Sequence, residues 1–227
     1  MGASISEFQR IKTLTVKDIR LLFRRKHEMI SLILFSAIAL LAFSYSLGPF
    51  FLYVDEVIPA LLWVILFFTI MLNVPTSFAR EIDKGTLDGL KSTPISPQAI
   101  LAAKMFFSIV VVACVEIILV PLSIILFNYE LAVVPAIGLL IIGSLDLAFA
   151  GCIVGALTMH TEAKSILIPI LMFPIIIPAL LPVVVGTEKT LAGANFHEIA
   201  PELVFVGSHF LIILILSLFL IGNLFET

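Results

Sequence analysis

The sequence predicts an all-α, polytopic membrane protein: six transmembrane helices preceded by an interfacial amphipathic helix. Three observations carry that expectation. The 227 residues are 61% hydrophobic and 13% charged, against about 45–50% apolar and about 25% charged in soluble domains. With a mean hydropathy of +1.21, the chain has more apolar side chain than a core of its own size can hide, so lipid must solvate much of it. The apolar residues fall into six blocks, at about 30–48, 57–78, 99–127, 131–158, 165–186 and 203–225, each near or above the roughly 20 residues that cross a ~30 Å hydrocarbon core. In lipid a helix satisfies its own backbone polar groups and an open strand does not, so every block should be helical. The chain divides into an N-terminal cytoplasmic interfacial helix over 1–29 and a six-helix transmembrane domain over 30–227.

The first element is a helix over 5–27. At 3.6 residues per turn, Phe8, Ile11, Thr15, Ile19, Leu22 and Phe23 share one broad face and Arg10, Lys17, Arg20 and Arg24 the other, while Leu14 and Leu21 fall near the charged side. This pattern fits a helix lying in the membrane interface, apolar face down, with its cations near lipid phosphates. The plainer alternative is a solvated basic tail. The first apolar run begins only near Ile30, after that basic segment, and reads as a retained span rather than a secretory signal.

Short turns join the spans. Asn128, Tyr129 and Glu130 form the shortest, which makes the third and fourth spans an antiparallel hairpin. Ser96 is placed to cap the third span, with Pro97 at the first helical position, where a missing N–H costs nothing. The fifth block carries Pro169, Pro174, Pro178 and Pro182. Each proline removes an intrahelical hydrogen bond, so this helix is expected to be kinked or broken toward its outer end. The polar segment after it, over 186–201, is expected to lie on or dip into the outer membrane face.

Charge sets the orientation. Seven of the thirteen Lys and Arg residues precede the first span (Arg10, Lys12, Lys17, Arg20, Arg24, Arg25 and Lys26), Arg80, Lys84, Lys91 and Lys104 lie between the second and third, and Lys164 follows the fourth. Lys189 alone falls on the other side, where Asp55, Glu56, Glu130, Glu188, Glu198 and Glu202 gather. Cytoplasmic segments carry the excess of cations, which places both termini in the cytoplasm.

The segment over 79–104 is the long polar interruption between two apolar blocks, and a soluble partner would take hold there. It predicts a short cytoplasmic helix around Thr86 to Leu90, ended by Gly89 and Pro94, with Glu81, Asp83, Lys84, Asp88 and Lys91 facing water or a partner and Leu87 and Leu90 as anchors. A solvated connecting loop is the alternative. No phosphate-binding G-x-x-x-x-G-K-[ST] occurs in the chain, so ATP is not bound here in the usual way and the chain is not read as an enzyme.

Two acids lie inside spans, Glu116 and Asp146. Each costs about 2.5–3.5 kcal/mol at mid-membrane on insertion scales, so both should face the bundle interior or a cavity. They line a pathway or couple its motion, or else they make structural hydrogen bonds between helices; the sequence leaves both open. Asn73, near Pro75 at the inner end of the second span, is a weaker case of the same kind. Of His27, His160, His197 and His209, only the last two fall on the outer side, with no supporting motif, and they read as interfacial or packing residues. Cys114 and Cys152 have no C-x-x-C spacing and read as packing residues, so no metal site is assigned.

The run A-R-E-I-D-K-G-T-L-D-G-L-K-S-T-P-I-S-P-Q-A-I-L-A-A-K-M resembles the loop of ABC-2-type transporter permeases, roughly R-E-x-x-x-G-T-L-E-x-L-x-x-T-P-[IV]-S-x-x-x-I-x-x-G-K, with Ala103 in place of the usual Gly. The chain length, Gly48-Pro49 after the first span, Leu61-Leu62-Trp63-Val64 opening the second, Phe78-Ala79-Arg80-Glu81 closing it, and I-P-I-L-M-F-P-I-I-I-P from Ile168 to Pro178 narrow the resemblance to the CcmB type of heme exporter permease. The resemblance implies a half-transporter in the inner, or cytoplasmic, cell membrane. It would pair with a separate CcmA-like ABC ATPase through the 80–94 loop, at Arg80, Glu81, Asp83, Lys84, Thr86, Leu87, Asp88, Leu90 and Lys91. It would also pair with a second copy of itself and work beside a CcmC-like heme-handling membrane protein in cytochrome c maturation. Heme enters as substrate, and no cofactor is assigned to the chain. Two other readings stand beside this one: an ABC-2 permease exporting a drug, lipid or polysaccharide, and a secondary transporter using Glu116 and Asp146 for protons.

Overall fold

A computed structural model describes residues 7–24, 26–47, 54–73, 95–159 and 161–226. Among the described residues are seven helices and no strand: α1 (Glu7–Arg24), α2 (Lys26–Leu47), α3 (Val54–Asn73), α4 (Pro97–Phe127), α5 (Val133–Thr158), α6 (Lys164–Leu191) and α7 (Ala200–Glu226). Helices α2 to α7 are long and apolar enough to cross a membrane, one for each block expected from the sequence.

The α4–α5 hairpin follows from local chemistry at both ends of α4. Ser96 is extended (φ −67°, ψ 147°) and its Oγ accepts the Ala99 N–H at 3.3 Å, with Pro97 next in line. Asn128 stops the helix in the left-handed region (φ 50°, ψ 47°), its N–H donating to the Ile124 carbonyl at 2.9 Å. Asn tolerates that conformation better than most residues. Tyr129 then folds back, its hydroxyl 2.7 Å from Ser123 Oγ. Burial pushes the Tyr129 phenol above its ordinary pKa, opposed by that hydrogen bond.

Helix α6 answers one half of the sequence reading, which expected a kink or a break. It runs without a break through Pro169, Pro174, Pro178 and Pro182 and reaches Leu191, past the expected end at 186. The reason lies in the spacing. Pro174, Pro178 and Pro182, four residues apart, lie along one stripe of the helix, whereas Pro169 falls about half a turn away from it. Pro174 and Pro178 are exposed on that stripe, while Met172, Ile176, Ala179 and Val183 are buried on the opposite one. The missing N–H groups of Pro174 and Pro178 therefore fall on the outward side, away from that packing. The link to α7 shrinks to residues 192–199, and Phe196 in it reaches the α5 position Gly138.

Helix α5 is the centre of the bundle, packing against α3, α4, α6 and α7. Its buried positions are dominated by small residues, among them Gly143, Ala148, Ala150, Gly151, Cys152 and Ala156, which let neighbouring backbones come close where no hydrophobic drive holds helices together in lipid. Gly143 shows the tightness: a Cβ there would sit 2.3 Å from Trp63 Cη2. Trp63, on α3, is held by an Nε1–H bond to Thr187 Oγ1 on α6 at 2.8 Å. Hydroxyls make similar clips between Ser36 of α2 and Thr69 of α3, and between Ser108 of α4 and Cys152 of α5, each at 3.0 Å. The outward faces carry exposed Ile38, Ile117, Ile125, Ile141, Leu181 and Phe219, an apolar surface that lipid solvates.

Helix α1 packs chiefly on the first turns of α4, with a smaller contact to α2. The face it buries differs from the expected one. Asp18 and Leu22 are buried, and Ile11, Leu14, Thr15 and Ile19 are half-buried, whereas Phe8 and Phe23 stand 76% and 58% exposed. Leu14 belongs with the bundle-facing residues rather than with the charged ones. The helix turns one arc to the bundle and an adjoining apolar arc outward.

Candidate functional site

The loop residues named for ATPase contact, Arg80, Glu81, Asp83, Lys84, Thr86, Leu87, Asp88, Leu90 and Lys91, lie outside the described residues. Its two shoulders are described: Asn73, buried at the end of α3, and Ser96, the cap of α4. On the α4 shoulder, two turns past the cap, Lys104 is not a loop cation. It is buried, and its Nζ lies 2.8 Å from Asp18 Oδ2 on α1. Thr15 Oγ1 adds a 3.4 Å contact to the Ala103 carbonyl. One turn further, Ser108 Oγ donates to the Lys104 carbonyl at 2.8 Å and meets Cys152 on α5. The start of the span that follows the loop is thus tied to α1 on one side and to the central helix on the other.

The intramembrane acids each have a partner on a different helix. The Ser144 hydroxyl of α5 donates to Glu116 Oε1 of α4. The Asp146 carboxylate of α5, 1% exposed, lies 2.9 and 3.1 Å from His209 Nδ1 of α7. Ser144 and Asp146 are two residues apart, about 200° around a helix. The two pairs therefore face opposite sides of α5 and do not share one cavity wall. They lock the central helix to α4 on one side and to α7 on the other.

The other singled-out residues are placed as follows. Pro174 and Pro178 are exposed on the outward stripe of α6, and Pro169 and Pro182 are half-buried. His27 is exposed in the first turn of α2, His197 is exposed in the α6–α7 link, and His160 lies outside the described residues. Cys114 and Cys152 are free, the latter fully buried. Among the described residues no group of three His, Cys, Asp or Glu side chains converges on a metal-sized site. At the end away from α1, Lys189 Nζ pairs with Glu202 Oε1 at 2.7 Å and donates to the Glu198 carbonyl at 3.2 Å.

Sequence reasoning missed two partnerships. His209 falls inside the sixth apolar block, and an acid and a histidine both inside spans are each other's natural partner; that signal was present for Asp146. Asp18 falls on the helical face of Ile11 and Leu22, and an acid within an apolar face asks for a buried cation. Nothing local says that the cation is Lys104.

Relatives match this chain in sequence along most of their length. Heme exporter protein B of Pseudomonas aeruginosa is 24% identical over 169 residues, 74% of this chain and 76% of the relative. The protein of that name from Paracoccus denitrificans is 24% identical over 199 residues, covering 87% and 90%. The one from Bradyrhizobium diazoefficiens is 23% identical over 184 residues, covering 81% and 83%. The family model described as CcmB protein matches residues 9–226, from the first turn of α1 to the last residue of α7, and the chain belongs to the CcmB protein family.

Proposed function

We propose that this chain is the membrane permease subunit of a heme exporter serving cytochrome c maturation, seated in the inner cell membrane with both termini in the cytoplasm. The family match over residues 9–226 carries the reading, joined by three relatives named heme exporter protein B. ATP hydrolysis belongs to a separate CcmA-like ATPase that docks on the 80–94 loop, at Arg80, Glu81, Asp83, Lys84, Thr86, Leu87, Asp88, Leu90 and Lys91. A second copy of the chain and a CcmC-like heme-handling protein complete the complex. In this reading Glu116 with Ser144 and Asp146 with His209 are coupling elements: they hold α5 in register with α4 and α7, so a push at the start of α4 moves the bundle as a unit.

The test is co-purification. The chain is expressed with a CcmA-like ATPase and isolated in nanodiscs, and retained ATPase and ATP hydrolysis are measured. The wild-type chain should hold the ATPase, and Leu87→Asp with Leu90→Asp should release it. A wild-type chain that retains no ATPase, or a loop variant that retains it fully, overturns the reading. Glu116→Gln and Asp146→Asn should keep the ATPase bound but lower cytochrome c maturation in cells by roughly tenfold, the scale of a lost ~1.4 kcal/mol coupling. Full maturation in both variants would leave the two acids as structural residues.

A further inference from the structure

Helices α4, α5 and α7 meet around one apolar cavity in the half of the bundle next to α1. Leu101 and Met105 of α4, Phe149 of α5, and Leu214 and Leu218 of α7 line it, and it holds about 150 Å³. In the other half the boundary between α4 and α7 stands open over α5. Phe149, Leu145, Ile141 and Ile137 recur every four residues along one stripe of α5, half-buried at Phe149 and Leu145 and exposed at Ile141 and Ile137. Leu218, Leu211 and Val204 recur every seven residues along α7 and are all exposed, and Ile117 of α4 is 73% exposed. These stripes are the floor and the two walls of a groove that runs up the bundle between α4 and α7.

Glu116 sits at the α4 wall of this groove, next to Ile117. It lies eleven residues before the end of α4, and Ser144 lies eleven residues after the start of α5. At 1.5 Å per residue the pair is roughly 17 Å from the far ends of both helices, at mid-membrane. Only half of the carboxyl is used. The Ser144 hydroxyl donates to Oε1, while Oε2 has no partner among the described residues and is not enclosed. Lipid tails fill the groove of a lone chain, but they bring no donor to an acid at a depth where leaving it unpaired is costly. A second copy brings no cation either. An isologous contact offers the same face twice, and no Lys or Arg occurs in α5, in α7 or in α4 beyond Lys104.

We propose that this groove seats a transmembrane helix of a different membrane protein, one that carries a basic side chain at mid-membrane and pairs it with Glu116. A helix laid in an apolar groove is anchored by residues on successive turns of one face, and Ile137, Ile141, Ile117 and Leu211 give those anchors an apolar lining. An intramembrane acid and an intramembrane cation are each costly alone and relieve one another when paired. The docked helix would touch the carboxyl that ties α4 to α5, so the partner's arrival would be felt in the pairing that holds the central helix.

The full-length chain, with the photo-crosslinker p-benzoylphenylalanine at position Ile141, is reconstituted in phosphatidylcholine vesicles with a fluorescent polyleucine peptide about 20 residues long. One peptide is all leucine between its charged ends, and the other has the same ends and a single lysine at its centre. On irradiation the lysine peptide should be captured several-fold more than the all-leucine peptide. Glu116→Gln should bring the two yields together, and the crosslinker at Ile170, exposed on α6, should show no preference. Equal capture of both peptides from Ile141 overturns the proposal, because the groove then takes any apolar helix. A lysine preference that survives Glu116→Gln overturns it too. Adducts between two copies of the chain in place of peptide adducts would make this face a self-interface and likewise overturn it. If Glu116→Gln does not fold, Ile137→Trp decides. It fills the floor of the groove and leaves the acid in place, so capture of the lysine peptide should fall, and undiminished capture counts against the proposal.

Discussion

Asp18 and Lys104 sit 86 positions apart in sequence, and their side chains are 8% and 6% exposed where they meet. Both charges have left water, and Lys17 Nζ reaches the other Asp18 oxygen at 3.6 Å. Replacing a buried pair by apolar groups is often neutral, whereas removing one partner strands a charge and costs about 3–5 kcal/mol. Asp18→Asn or Lys104→Met alone should therefore lower stability by about that much, and the double variant should cost far less than the two together. Equilibrium unfolding in mixed micelles, read as a double-mutant cycle, measures the difference; additive losses would show that the two side chains do not depend on each other. The pair also marks what sequence reading can and cannot reach at this scale. The charge tally was right about the end of the molecule to which Lys104 belongs, because that depends only on position along the chain. It was silent about burial, because the partner comes from another helix. Asp146 and His209 differ: both lie inside apolar blocks, and the rule that intramembrane charges seek partners would have paired them.

The helices themselves were legible, because apolar block length and the need to satisfy the backbone in lipid leave little freedom. The cap at Ser96 and the stop at Asn128 were legible too, since capping chemistry acts within a few residues. The break that the prolines of α6 suggested is absent, because a proline on the outward face leaves the buried face packed. Pro174 and Pro178 fall on an outward stripe, and which stripe faces outward is set by tertiary packing. The same packing makes Gly143 the tightest point in the bundle. Any Cβ there enters the Trp63 ring, and Trp63 cannot swing aside without losing Thr187. Gly143→Val should destabilise the chain by about 1–3 kcal/mol, the usual cost of overpacking. Trp63 is the only tryptophan, so its emission reports the event directly. A shift to longer wavelength should accompany the loss of stability, and unchanged emission in a fully stable Gly143→Val would show that α3 and α5 do not pack as described.

At the scale of the whole molecule, the two ends of the bundle differ in charge and in structure. One end holds α1 with its exposed Lys12, Arg20 and Arg24. The other holds the α6–α7 link, where Lys189 is tied to Glu202 and Glu198, so the acids Glu130 and Glu198, both exposed, set the sign of that surface. A membrane potential, and the translocation machinery's resistance to moving cations, both favour the α1 end inside. This orientation has a direct consequence for labelling. With Cys114 and Cys152 replaced by Ala, single cysteines at Gln9 and Phe196, both exposed, probe the two ends. A membrane-impermeant maleimide added to intact cells should label Phe196→Cys and leave Gln9→Cys untouched until the cells are lysed. The reverse pattern would put the 80–94 loop on the side of the membrane where no ATP is available, and the proposed partnership with an ATPase would fall with it. Labelling of both sites in intact cells would mean that the chain inserts in two orientations, and the single cation at the far end would then be too weak a signal to explain the fold's asymmetry. Labelling of Phe196→Cys alone requires an odd number of crossings between Gln9 and Phe196, as the five helices α2 to α6 provide, so this one measurement tests the charge rule together with the parity of the span count.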